Sequence, residues 1–123
     1  MSRIESHREL LVWQKAMDLA VLIYELSGRF PSKENYRLVA QITKSASSVP
    51  ANIAEGKGRA TSRDFANFVA IAKGSLMETE TYVTLSARLG YASQAEIQPV
   101  LDLITEISKM LTALRSRLVE NKP

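Results

Sequence analysis

Ser48-Val49-Pro50-Ala51-Asn52-Ile53-Ala54-Glu55-Gly56-Lys57-Gly58-Arg59 carries an apolar helix end past a proline and into a glycine pair and a cluster of positive charge. Upstream, Val39, Ile42, Ala46, Val49 and Ile53 recur at alternating steps of three and four, the seam of a helix packed lengthwise on others. Pro50 falls inside that seam. It removes one backbone donor, so a kink is expected there, but the apolar pattern continues to Ile53 and Ala54 and Gly56 is the expected stop. Arg37, Gln41, Lys44 and Ser48 share the opposite face of the same helix.

Downstream, Thr61-Ser62-Arg63-Asp64 has the form of a capping box, with the acid at the third helical position. The helix it opens draws core contacts from Phe65, Phe68, Val69, Ala72, Leu76, Val83 and Leu85, and Gly90 is its expected cap. Ala66, Ala70 and Gly74 form a small-residue ladder that lets another helix approach closely. Ser93-Gln94-Ala95-Glu96 is a second capping box. Beyond it Ile97, Val100, Ile104, Ile107, Leu111, Leu114 and Leu118 repeat by three and four, although Pro99 also allows a start near that residue. Upstream of the opening stretch, Trp13, Ala16, Met17, Ala20, Ile23 and Tyr24 recur at helical spacing. Leu11, Leu19, Val21, Leu22 and Leu26 widen that apolar surface. A helix this apolar has two faces to bury, and the second calls for another subunit.

Helices are therefore expected at about 10–27, 36–55, 62–89 and 94–119, with polar tails at 1–8 and 120–123 around a single domain, 9–119. Four helices joined by short connections predict an all-α, antiparallel up-down-up-down four-helix bundle.

Composition narrows the function. The 123 residues contain no cysteine, which excludes disulfide and thiolate chemistry and suits a reducing, cytoplasmic setting. The first nine residues mix both charge signs without an apolar core, so no signal peptide is expected, and no apolar run approaches membrane length. The net charge of +3 is concentrated. Lys33, Arg37, Lys44, Lys57, Arg59 and Arg63 are opposed between positions 33 and 63 by Glu34 and Glu55 alone, which favours an anionic partner.

Catalytic constellations are missing. His7 is the only histidine and lies in the expected tail. No metal site or cofactor is implied, and Ser45, Ser47, Ser48 and Ser75 have no activating base. Glu55-Gly56-Lys57-Gly58-Arg59 lacks the spacing and the Lys-Ser/Thr ending of a phosphate loop. Arg59 and Arg63 do flank a helix start, whose free N–H groups favour an anion. The stripe from Arg37 to Ser48 reads either as a solvated face or as a phosphate-tracking one.

Trp13-Gln14-Lys15-Ala16, Phe30-Pro31, Asn52-Ile53-Ala54-Glu55-Gly56, Ala72-Lys73-Gly74-Ser75-Leu76, Glu78 and Leu89-Gly90-Tyr91 together resemble the four-helix-bundle proteins encoded in intervening sequences of bacterial 23S ribosomal RNA genes. The accessory variability proteins of diversity-generating retroelements are similar to the same family. The resemblance implies a ring-shaped homopentamer of largely undefined role. The retroelement relatives are basic and associate with a reverse transcriptase and with nucleic acid. The family commonly carries two arginines before its serine-proline turn, where this chain has Thr43-Lys44, a loss of charge and of planar hydrogen-bonding geometry. Asn52, Ile53, Ala54, Glu55, Gly56, Gly74 and Ser75 read either as fold signature or as binding site. Asn52 is placed to satisfy a backbone group released by Pro50, and Glu55 to pair with Arg59 or Arg63.

The resulting expectation is a non-enzymatic homo-oligomer that binds nucleic acid, with RNA favoured, through Arg37, Lys44, Lys57, Arg59 and Arg63. The alternative is a protein-interaction scaffold or accessory subunit for a nucleic-acid enzyme.

Overall fold

A computed structural model describes residues 6–120, which form four α-helices and two short 3-10 turns, His7–Glu9 and Ser32–Glu34. The helices are α1 (Leu11–Ser27), α2 (Leu38–Lys57), α3 (Ser62–Arg88) and α4 (Gln94–Glu120). No strand occurs among the described residues. Each helix packs on its neighbour in sequence, α4 closes on α1, and the most extensive seam joins α2 to α3. The core runs through all four, with Leu19 and Ile23 meeting Ile42, Val49, Ile53, Leu76, Val83, Ile104 and Leu111.

The apolar seams of α2 and α4 are buried as their spacing requires, with Val39, Leu114 and Leu118 half-buried at the margins. α1 divides its apolar residues. Val12, Ala16, Leu19, Ile23 and Leu26 face the core, while Met17, Val21 and Tyr24 are exposed. Met17, Val21 and Tyr24 thus form a second, exposed stripe, while Trp13 is half-buried and packs against the core. Leu85, expected in the core of α3, is exposed. It lies two residues beyond buried Val83, and at about 100° per residue that places it on the far side of the helix.

Local chemistry sets the ends. α2 begins at Leu38, later than the spacing suggested, because residues 32–34 form their own turn and Glu34 Oε1 accepts from Leu38 N at 3.4 Å. The helix then runs through Pro50 and through Gly56, and Gly58 is its cap. Gly56 is therefore not the stop: it is buried, and a Cβ there would lie 2.8 Å from both Phe65 Cδ1 and Phe68 Cβ of α3. α3 ends in a Schellman arrangement. Gly90 at φ +80° donates to Ala87 O, and Tyr91 N donates to Ser86 O. α4 starts at Gln94 with a complete capping box, Ser93 N to Glu96 Oε1 at 2.8 Å and Glu96 N to Ser93 Oγ at 3.1 Å. With that box in place Pro99 lies inside the helix, so a start near Pro99 does not occur.

A polar clamp joins the start of α2 to the turn before α4. Tyr91 Oη donates to Glu34 Oε2 at 2.7 Å, and the Tyr91 ring packs on Phe30. The Tyr91 hydrogen bond holds the Glu34 carboxyl below the usual carboxylate range, helped by Leu38 N–H and Arg37 and opposed by burial. The same bond pushes the Tyr91 phenol above its ordinary value. Glu96 is also held low, by its bonds to the Ser93 backbone and side chain.

Candidate functional site

α2 is about 30 Å long at 1.5 Å per residue, and it separates the basic residues singled out from the sequence into two groups. Arg37 stands at its start, 3.6 Å from Glu34 Oε1 and beside the fully exposed ring of Tyr36. Lys44 lies two turns on, on the same face. Lys57, Arg59 and Arg63 gather at the opposite end, where α2 gives way to α3. Arg59 is already engaged: its Nη2 is 2.8 Å from Glu55 Oε2 and its guanidinium lies 4.8 Å from the centre of the Phe68 ring. At the start of α3 the Thr61 hydroxyl accepts from Asp64 N at 3.1 Å. Asp64 itself brings an acid to that helix end, which competes with an external anion there.

Arg63 has company that the sequence did not reveal. It lines a pocket of about 330 Å³ with Asn67 of α3 and Arg115 of α4, over Ala66, Leu118 and Val119. Arg115 and Val119 also line an adjoining pocket of about 480 Å³, whose polar walls are Lys73, Thr112, Ser116 and Glu120. The two form one continuous groove between the first half of α3 and the last turns of α4. Lys73 Nζ donates to Thr112 Oγ1 at 2.7 Å across it. Among the described residues three cations, Arg63, Lys73 and Arg115, and one carboxylate, Glu120, line this groove. Arg115 reads in the sequence only as a complement to the negative end of its helix, since its approach to Arg63 is a tertiary contact between distant segments.

The other side of α3 is different. Ser45 Oγ and Thr79 Oγ1 are 2.9 Å apart, as are Ser48 Oγ and Ser75 Oγ, so α2 and α3 run in opposite directions with 45 level with 79 and 48 level with 75. Asn52 Nδ2 donates to Ser48 Oγ at 2.9 Å and to Ser48 O at 2.8 Å. The carbonyl that Pro50 leaves without its helical donor is that of Ala46, so Asn52 stabilises the neighbouring turn and not the released group itself. Beside these hydroxyls lies a cleft of about 240 Å³ lined by Gln41, Lys44, Ser45, Ser48, Ser75, Glu78 and Tyr82, every one with a hydrogen-bonding side chain.

The motif residues are thereby distributed. Ile53 is core, Gly56 permits the close approach of α3, and Asn52 and Ser75 belong to the hydroxyl seam. Ala54 lines an apolar groove against Trp13 and Met17 of α1. Glu55 pairs with Arg59. Gly74 is exposed with nothing within 4 Å of a Cβ, whereas Ala66 and Ala70 of the same ladder line the pockets against α4. Among the described residues no group of three or more His, Cys, Asp or Glu side chains is placed to hold a metal ion, and no helix is long and apolar enough to cross a membrane.

The fold and these two seams define an all-α four-helix-bundle protein with polar grooves on either side of its third helix. Residues 8–113 match the family model of the 23S rRNA-intervening sequence protein, and the chain belongs to that family. It is similar to a crystal structure from Bacteroides thetaiotaomicron VPI-5482, described as a protein with unknown function from the S23 ribosomal protein family. The two share 28% identity over 85% of this chain and 98% of that one, with a TM-score of 0.77. No curated protein matches.

Proposed function

We propose that this chain is a non-enzymatic nucleic-acid-binding protein, with RNA the favoured ligand, that contacts phosphates along the α3/α4 groove and the adjoining end of α2. The observation that carries this reading is that Arg63 and Arg115, from helices far apart in sequence, line one pocket that has no acidic side chain among the described residues. Guanidinium groups suit phosphate oxygens because their planar donors bind two at once. Lys73 extends the track, ten residues or about 15 Å from Arg63 along α3. Lys57 and Arg59 continue it at the other end. Arg37 and Lys44 would join only for a ligand running the length of α2.

The assembly belongs to the same proposal: an antiparallel up-down-up-down bundle forming a ring-shaped homo-oligomer, a pentamer by resemblance to its family, in the cytoplasm. The outward stripe of Met17, Val21 and Tyr24 supports it, since water-facing apolar residues in such continuity mark a contact surface. Exposed Gly74 offers a second close-approach site. A ring repeats the groove, so weak single contacts sum by avidity.

A scaffold for a nucleic-acid enzyme is the second reading, favoured by the same α1 stripe if a partner protein covers it. Gel-shift titration with structured RNA separates the two. The nucleic-acid reading expects binding that weakens with salt and fails in Arg63→Ala/Arg115→Ala. The scaffold expects no binding by the folded, assembled chain, and loss of its protein partner on Met17→Ser/Tyr24→Ser.

A further inference from the structure

We propose that Tyr36 is a stacking platform for an unpaired nucleobase, with Lys33 and Arg37 on the phosphates beside it, so that the nucleic acid this chain takes carries a single-stranded segment. The proposal rests on the nucleic-acid reading and deepens it, at the opposite end of α2 from the basic groove.

Tyr36 is 96% exposed, more than any other large apolar side chain among the described residues, and its ring makes no hydrogen bond or ring contact among them. The other two rings at this end of the bundle, Phe30 and Tyr91, pack on each other. A single exposed apolar side chain is ordinary. This one differs in its mounting and in its neighbours.

The mounting is rigid. Glu34 N donates to Pro31 O at 2.9 Å, Asn35 N to Ser32 O at 3.0 Å and Arg37 N to Glu34 O at 3.0 Å, so backbone bonds close on both sides of Tyr36. Beneath them the Glu34 carboxylate is buried and tied to Tyr91 Oη and Leu38 N. A tyrosine on a fixed backbone has only two side-chain torsions to lose when a ligand covers it.

The neighbours are cations. Lys33 and Arg37 flank Tyr36 and are exposed, while the one acid between them, Glu34, is turned inward and already bonded. Arg37 Nε stands 3.6 Å from Glu34 Oε1, yet its side chain keeps 71% of its surface in water. The patch therefore offers a ligand one aromatic face and an excess of positive charge. An acidic peptide would use the charge and leave the ring idle, whereas a nucleotide carries a π face and a phosphate together. Bases inside a duplex are covered by their neighbours, so the ring selects an unpaired base and tolerates any of the four. Lys44, two turns along α2 from Arg37, meets the strand about 10 Å further on.

The test is a titration of the full, assembled chain with a short labelled oligoadenylate, beside a long blunt RNA duplex, read by fluorescence anisotropy. Tyr36→Ala and Tyr36→Leu should weaken oligoadenylate binding about tenfold, the effect of losing one base–aromatic stack, and Tyr36→Phe should restore it. None of the three should alter the salt slope or the affinity for the duplex. Lys33→Gln should instead lower the oligoadenylate slope by about 0.7. These side chains are exposed, so the fold should survive, as thermal melting verifies. Wild-type affinity in Tyr36→Leu, failure of Tyr36→Phe to restore binding, or equal losses on both RNAs overturns the proposal. RNA binding that needs Arg63 and Arg115 but ignores Tyr36 overturns it while the nucleic-acid reading stands, and no binding of either RNA by the wild type overturns both. Loss of binding to anionic phospholipid vesicles in Tyr36→Ala, with oligoadenylate binding intact, would assign the ring to a membrane surface and overturn it too.

Discussion

α3 has two working sides that answer opposite demands. Toward α2 it is drawn in close: Gly56 leaves no room for a Cβ against Phe65 and Phe68, and hydroxyls bond across the seam. Charges there come in one of each sign, Lys44 and Glu78. Toward the last turns of α4 a groove lies between the helices, and Arg63, Lys73 and Arg115 stand over an apolar floor with only Glu120 against them among the described residues. Small residues that hydrogen-bond to one another make a tight, specific seam, and long cations with few counterions make an open one that favours an anion. One helix can therefore serve as both fastening and binding wall.

Changes at the seam should reveal how much of the fastening depends on close approach. Gly56→Ala should cost roughly 1–3 kcal/mol in urea unfolding, because Phe68 Cβ cannot move as a flexible side-chain tip would. A neutral result would mean that the α2/α3 spacing is looser than described. Thr79→Ala should cost about 1 kcal/mol, and Ser45→Ala/Thr79→Ala less than the sum of the two single changes, because the hydroxyls share one bond. Strict additivity in that cycle would deny the shared bond.

Gly74→Ala, on the exposed side of α3, should act in the opposite direction. It removes a helix-interior glycine from open space and should stabilise the folded chain by about 1 kcal/mol. Should the same change instead disrupt assembly in light scattering, the small-residue face would be a subunit contact.

The smallest effect concerns pH. The folded-state pKa of Glu34 is depressed, so its clamp stabilises fully above the ordinary carboxylate range and is lost as pH falls through the lowered value. Tyr91 is raised, so its share is present below pH 10 and disappears as pH rises through the elevated value. Tyr91→Phe should flatten both limbs of a melting-temperature profile, and an unchanged acid limb would remove Glu34 from the account.

Much of the fold was legible because it is written in periods. The 97–111 repeat, the buried 42–53 seam and the Ser93/Glu96 box are local patterns that fix local structure. Gly56 was misread as a stop because glycine serves two purposes, ending helices and admitting neighbours, and only the position of Phe65 and Phe68 distinguishes them. α1 was legible as two-faced, but which stripe would turn inward depended on the other three helices. The basic groove was half hidden. Arg63 stood out within a run of positive charge, whereas Arg115 and Lys73 join it only through the packing of α3 on α4. The reverse held for Arg37, whose closeness to Arg59 in sequence becomes most of the length of α2 in space.

The central claim is that the α3/α4 groove tracks phosphates, and RNA affinity of the purified protein across a salt series tests it most directly, beside Arg63→Ala/Arg115→Ala. A linear fall of log affinity with log salt is predicted, the double mutant losing roughly 0.7 to 0.9 of slope per phosphate contact removed. Equal slopes in the two proteins, or no binding at low salt by a folded and assembled wild type, would contradict it.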